Sequence, residues 1–277
     1  MAPDNETCPP APRISYVIGA HNSAPFINDT LEAIAKRLRD VPAEIIVVEN
    51  GSSDDTLAVL QATAAIWPAE APALRVMTSE KGLGIALRTG LAASTGSVVV
   101  ISSDDLAFGF DELDAAEKLS MAEVRVLIGS KAHRDSVVRR NLLRDVLSGG
   151  LRVLRFLTLG MTTGDPQGTY VLYGPWIRAV TPALREPGFL VTTEVAYLAQ
   201  LSGTRPLEVP VTLRDGEHPT RIRISDPIRM ALGLVATRAR KRALRKVARA
   251  AISADEGDSG LCYPRVSNEG LRAGRSH

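Results

Sequence analysis

From residue 14 to residue 129 the chain alternates short β-branched runs with helical patterns. The runs Ile14–Ala20, Glu44–Val48, Leu74–Thr78, Val98–Ser102 and Val124–Gly129 are apolar at nearly all positions rather than at every second one. Strands of that kind are buried on both faces, the condition of a parallel sheet covered by helices. The intervening segments, Ala24–Arg39, Asp54–Ile66, Leu83–Ala93 and Asp111–Leu119, have helical periodicity. The pattern predicts an α/β chain with an open, mostly parallel central sheet flanked by helices. In such sheets ligands bind beyond the carboxyl ends of the strands, so polar residues at those ends carry most of the functional information.

After about residue 135 the rhythm changes. Residues 137–159 read as a long amphipathic helix, or as two helices broken at Gly149-Gly150, with Arg140, Arg144, Ser148 and Arg152 on one face. Thr169–Tyr173 and Leu207–Leu213 read as strands, Thr192–Leu201 as a helix, and Asp226 to Arg249 as a basic helix. The expected organisation is a flexible stretch 1–12, a catalytic domain 13–225 with a nucleotide-binding half 13–130 and an acceptor half 131–225, a basic amphipathic helix 226–250 and a disordered tail 251–277.

Net charge is only +2, yet residues 131–155 carry seven Lys/Arg against two Asp/Glu, and residues 219–249 carry ten against one. That asymmetry points to an anionic partner. Without aromatic interleaving or a recognised binding motif, nucleic acid is excluded. A basic helix over 226–249 suits an anionic membrane surface. No apolar run approaches the roughly 18 residues needed to span a bilayer, and residues 1–13 lack signal-peptide character. The reading is a cytoplasmic protein, peripheral at the cytoplasmic face of the membrane. Cys8 and Cys262 lie near the ends, which argues against a disulfide or zinc site.

The fourth run enters Ser102-Ser103-Asp104-Asp105. Carboxylates there are not core residues, because an unpaired buried charge is too costly, and the next helix begins too far on for a simple cap. A hard cation, Mg²⁺ or Mn²⁺, fits the pair. After the second run, Glu49 and Asn50 precede a Gly51-Ser52-Ser53 turn, with Asp54 placed to cap a helix. After the third, Lys81-Gly82-Leu83-Gly84 opens a helix in a way that suits phosphate, although neither a P-loop nor a dinucleotide fingerprint is present.

In their order these motifs resemble the inverting family 2 glycosyltransferases with the GT-A fold, and among them the polyprenyl-phosphate sugar synthases that make dolichyl-phosphate mannose and dolichyl-phosphate glucose. The resemblance runs from about Arg13 to Leu234, through "YVIGAHNSAPFI", "VVENGSSDDT", "KGLGIALRTG", "SSDDL", "GSKAH", "RRNLLRDVLSGGLRVLRFLTLG", "GDPQGTYVLYGP", "TTEVAYLAQLSG" and "VPVTLRDGEHPTRIR". Departures are Gly19 and Ser23 for the family's Pro and Glu, Glu49-Asn50 for an Asp-Asp pair, and Ser103 for the first Asp of Asp-x-Asp.

The resemblance implies transfer of a hexose, glucose or mannose, from a UDP- or GDP-sugar to a polyprenyl phosphate with inversion, assisted by a divalent cation. It places Ala20, Asn22, Glu49, Asn50, Lys81, Gly82 and Asp104 at the donor. Asp105, with Asp104, would hold the metal. Asp105, Asp165 and Gln167 would be catalytic, and Glu194 a sugar-site residue. Lys131, Arg140, Arg144, Ser148 and Arg221 would bind the acceptor phosphate. Two alternatives stand beside it: a family 2 transferase with a glycan or small-molecule acceptor, and a nucleotide-sugar-binding protein impaired through Ser103.

Overall fold

The computed structural model describes residues 13–138, 142–214 and 226–257. The first half folds as β1 (Ile14–Ala20), α1 (Ile27–Arg37), β2 (Ala43–Glu49), α2 (Thr56–Ala65), β3 (Ala73–Thr78), α3 (Leu83–Ala93), β4 (Val98–Ser103), α4 (Asp111–Ala116), α5 (Met121–Val124) and β5 (Val126–Gly129). The second half adds α6 (Leu142–Leu159), β6 (Thr169–Tyr173), α7 (Gly174–Val180), α8 (Val191–Leu201), β7 (Leu207–Val209), α9 (Asp226–Ala239) and α10 (Lys241–Gly257).

The seven strands form one sheet in the order β3-β2-β1-β4-β6-β5-β7. β1 runs parallel to β2 and β4, β2 to β3, and β5 to β7; β6 is antiparallel to β4 and β5. Both halves of the chain therefore share a single sheet. Its two faces bury separate cores, as all-apolar strands require. Tyr16, Ile18, Val100, Leu127 and Val171 pack on the side of α1 and α4. Val17, Ile46, Val99, Ile101 and Tyr170 pack on the side of α3, α7 and α8.

Four expectations are corrected. The strand expected from Val124 begins at Val126, because α5 ends in Arg125 with a φ of 60°, whose amide closes on Met121 O. The strand expected over Leu207–Leu213 stops at Val209, since Pro210 has no N–H for the ladder; Val211 and Leu213 instead bond with Val137. Residues 137 and 138 are thus not helical, and α6 starts at Leu142 and runs unbroken through Gly149-Gly150. The basic helix is two helices turning at Arg240, and α10 continues through residues 251–257, which were expected to be disordered.

That last element also has a different role. Leu244, Ala248 and Ala251 of α10 are buried in the core shared with α7 and α8. Its apolar side covers protein, so it is not left over for a lipid surface. The expected flexible residues 1–12, and 258–277 of the expected tail, lie outside the described residues.

Candidate active site

Strand order places the crevice. The chain leaves β1 for β2 and β3 on one side, then returns to β4 on the other. The carboxyl ends of β1 and β4 thus border the topological switch point, where ligands sit in sheets of this kind. Register brings Ala20 opposite Glu49 and Gly19 opposite Ser103, so the polar residues of three strands share one edge.

On the β2 side, Glu49 and Asn50 are nearly enclosed. Glu49 Oε1 accepts the Ser52 amide at 2.5 Å, and the Asn50 amide donates to Ala20 O at 3.0 Å. Asn22, exposed and with a φ of 53°, accepts the Ser53 amide at 2.8 Å and donates its own amide to Ser52 Oγ at 3.0 Å. Asp54 accepts the amides of Thr56 and Ala24 at 3.1 and 3.2 Å. Burial opposes the charge of Asp54, but the Thr56 hydroxyl and these amides hold it below the usual carboxylate range. The β1–α1 and β2–α2 turns are therefore a single hydrogen-bonded unit.

Lys81 is exposed, and its stem lies against Gly51: a Cβ on Gly51 would stand 3.2 Å from Lys81 Cβ. Gly82, at a φ of 145°, and Gly84 admit the backbone of Glu186 and Pro187: a Cβ on Gly82 would lie 2.4 Å from Pro187 O, and one on Gly84 2.0 Å from Glu186 O. The Gly84 amide donates to Pro187 O at 2.9 Å. This turn was expected to offer free amides to phosphate; the Gly84 amide is already taken, and Lys81 beside it is exposed.

The two aspartates after β4 diverge. Asp104 is buried, and its carboxylate accepts the Ser23 hydroxyl and, at 3.4 Å, the His21 amide; Thr30 Oγ1 donates to Asp104 O at 2.7 Å. Asp104, expected beside Asp105 as a ligand, is a tether between β4 and the β1–α1 turn. Ser23, where the resembled family carries Glu, is its partner. Asp105 is half-buried and shares the Ala107 amide with Ser103 Oγ, at 3.2 and 3.4 Å. The hydroxyl and carboxylate, at the two ends of the Ser103-Asp104-Asp105 segment, thus meet at one amide. Among the described residues no three His, Cys, Asp or Glu gather to hold a metal. This donor set fits a hard cation that takes most of its oxygens from a diphosphate and water and one carboxylate from Asp105. It does not fit a cation held by protein alone.

Across the crevice, Lys131 Nζ lies 3.6 Å from Asp165 Oδ2 and 5.7 Å from the centre of the Phe108 ring. Phe108 follows Asp105 by three residues, so this lysine connects the Asp165 turn to the Asp105 loop. Asp165 Oδ1 accepts the Gln167 amide at 3.1 Å. Gln167 Nε2 is buried without a hydrogen-bond partner among the described residues. A buried donor without an acceptor is costly, and a ligand oxygen would satisfy it.

The turn is braced from below by residues that sequence reasoning missed. Glu208 on β7 accepts Ser130 Oγ at 2.6 Å and the Gly164 amide at 2.8 Å. Arg155 on α6 is 4% exposed and donates to Gly164 O at 3.1 Å; burial pushes its guanidinium down, while Asp165 opposes that. Arg155 falls outside the four-residue series of Arg140, Arg144, Ser148 and Arg152, the only signal available. Arg214 was also passed over: its guanidinium lies on Gly109, at 2.3 Å from a Cβ built there, and its amide donates to Ala107 O.

Other expected positions separate from this group. Arg140 and Arg221 lie outside the described residues, as does the side chain of Arg144; Ser148 is exposed on α6. Glu194, expected at the sugar site, is 1% exposed and fully used elsewhere. Its Oε2 accepts the Arg185 and Glu186 amides, both at 2.8 Å, and its Oε1 pairs with Arg240. It ties the 185–186 turn to the junction of α9 and α10.

The family model described as "Glycosyl transferase family 2" matches residues 15–173. The dolichyl-phosphate β-glucosyltransferase of Dictyostelium discoideum is 24% identical over 242 residues, 82% of this chain and 74% of that protein. The protein of that name from Drosophila melanogaster is 26% identical over 207 residues, 69% of this chain and 64% of its own length. Among solved structures, glucosyl-3-phosphoglycerate synthase from Mycobacterium tuberculosis in complex with UDP superposes with a TM-score of 0.57 at 22% identity, covering 83% of this chain and 80% of that one. Its complex with Mn²⁺, UDP and glucosyl-3-phosphoglycerate has the same TM-score at 21% identity. The family model spans more than half of the chain and both sides of the crevice. The chain therefore belongs to glycosyl transferase family 2, and it is a glycosyltransferase.

Proposed function

We propose that the chain transfers a hexose from a nucleoside-diphosphate sugar, UDP- or GDP-linked, to a polyprenyl phosphate with inversion. The observation that carries this reading is the gathering of Glu49, Asn50, Lys81, Asp105, Asp165 and Gln167 around one crevice, with the Gln167 amide group unspent. The names of the relatives support the substrate classes: dolichyl phosphate and glucose in one set, UDP and Mn²⁺ in the solved structures.

Glu49 and Asn50 meet the base, and Lys81 the ribose–phosphate side. Asp105 would hold a divalent cation, whose charge would offset that of the departing diphosphate. Asp165, kept in place by Lys131, Glu208 and the Gln167 amide, faces the sugar together with the Gln167 side chain. The acceptor oxygen of a phosphate monoester is ionised near neutral pH, so no strong general base is needed. Lys131, with Arg144 and Ser148 of α6, meets that anion. Attack from the face opposite the diphosphate inverts the anomeric centre.

A second reading is transfer to a water-soluble acceptor. The names of the solved relatives favour it, since phosphoglyceric acid is bound in one of them. Both readings require an acceptor anion. The deciding experiment incubates the protein with labelled nucleotide sugars and polyprenyl phosphate, with and without Mn²⁺, followed by lipid extraction. Label in the organic phase is expected. Label confined to water, with phosphoglycerate or another soluble acceptor consumed, selects the second reading, and donor binding without turnover selects an impaired protein. Asp105→Ala is expected to lower transfer by about a hundredfold or more.

A further inference from the structure

Six of the nine large apolar side chains that stand in solvent among the described residues belong to three neighbouring segments. Val153, Phe156 and Leu157 lie on α6, Leu232 and Val235 on α9, and Phe189 in the loop before α8. α6 and α9 pack side by side, and Leu190 next to Phe189 rests on Gly233 of α9. Each helix is apolar on two faces. α6 turns Leu151, Leu154 and Leu159 toward the core and α9 turns Met230 and Leu234 there; both present further apolar residues outward. An apolar helix face is normally packed against a partner, and an exposed apolar patch marks an interaction site.

The border of the patch is basic. Arg152 on α6, and Arg229 and Arg238 on α9, are exposed. Residues 146–164 and 228–254 contain no Asp or Glu. Glu186, in the adjoining loop, is half-buried against Gly233, and burial with the nearby Glu194 pushes its carboxyl up.

We propose that this α6–α9 face, with Phe189 beside it, docks on an anionic phospholipid bilayer. The apolar side chains enter the boundary between headgroups and acyl chains, and the arginines reach the lipid phosphates. A second copy of the chain is a poorer occupant: two-fold packing would set arginines against arginines with no acid between them. The inference rests on the lipid-acceptor reading for its purpose and on the surface residues for its evidence. Docking there sets α6, the helix carrying Arg144 and Ser148, at the lipid surface. It also brings the loop covering Gly82 and Gly84 beside that surface.

The test is flotation of the full chain with phosphatidylcholine vesicles, with and without phosphatidylglycerol. Flotation that depends on phosphatidylglycerol is expected. The Phe156→Ser, Leu157→Ser double variant, with an unchanged melting temperature, should bind about tenfold less or weaker still, and Arg152→Glu, Arg229→Glu should lose the preference for anionic lipid. The proposal is overturned if the native chain floats with neither vesicle, if the double variant floats equally well, or if the native chain sediments as a dimer that the double variant abolishes. A water-soluble short-chain prenyl phosphate separates this result from the reaction. The double variant should glycosylate it at the native rate; docking without any such transfer supports the surface and removes the acceptor reading.

Discussion

At the residue scale, the adjacent aspartates lie in the turn that follows β4, and they spend their carboxylates differently. Asp104 is bonded to Ser23 and the β1–α1 turn, and Asp105 to the Ala107 amide of its own turn. Within the strands, side-chain alternation sends Tyr16, Ser102 and Thr169 to the α4 side, around Glu112. Glu112 is fully enclosed, and burial pushes its carboxyl up to about 7 from 4.5. The folded protein therefore binds this proton more tightly than the unfolded chain. The stability so gained is complete below pH 4.5 and is lost as pH rises toward 7. Glu112→Gln should flatten that decline and stabilise the protein at alkaline pH by about 2–3 kcal/mol, read from urea melts at about pH 5 and about pH 8.

At the element scale, the strands follow from composition because β-branched runs buried on both faces have few other solutions, and most β1–β4 boundaries fall within a residue of expectation. The misplaced boundaries each have a local cause that hydrophobic pattern does not register: a positive φ at Arg125, a missing N–H at Pro210, and the pairing of Val137 with Thr212. Glu194 was misassigned for a different reason. An acid in the first turn of α8 reads the same from sequence whether it meets a sugar or a distant arginine, and Arg240 lies 46 residues away. Arg240→Met should strand a buried carboxylate and cost about 3 kcal/mol in a denaturant titration. Glu194→Gln in the same protein should recover part of that loss, an outcome not expected of a sugar ligand.

At the scale of the whole molecule, the basic C-terminal segment divides its labour. α10 completes the core through Leu244, Ala248 and Ala251, whereas α9 keeps Leu232 and Val235 in solvent. Leu244→Ala should destabilise the fold by about 2–4 kcal/mol in urea melts; a helix whose apolar side met only lipid would tolerate the change. The site is equally divided. One side lies on local strand–turn–helix units, so Glu49, Asn50, Lys81 and Asp105 stand out by position alone. Its other side is assembled from β5, α6, β6 and β7, and there Arg155, Glu208 and Arg214 went unnoticed.

Periodicity and composition were sufficient for the α/β class and for the strand edge where the polar residues gather, because each depends on neighbours within a few residues. Which aspartate tethers and which stays open, where Glu194 spends its charge, and which helix face remains bare depend on contacts between residues 46 to 83 apart. Those pairings exist only once the chain has closed on itself, and no local pattern records them.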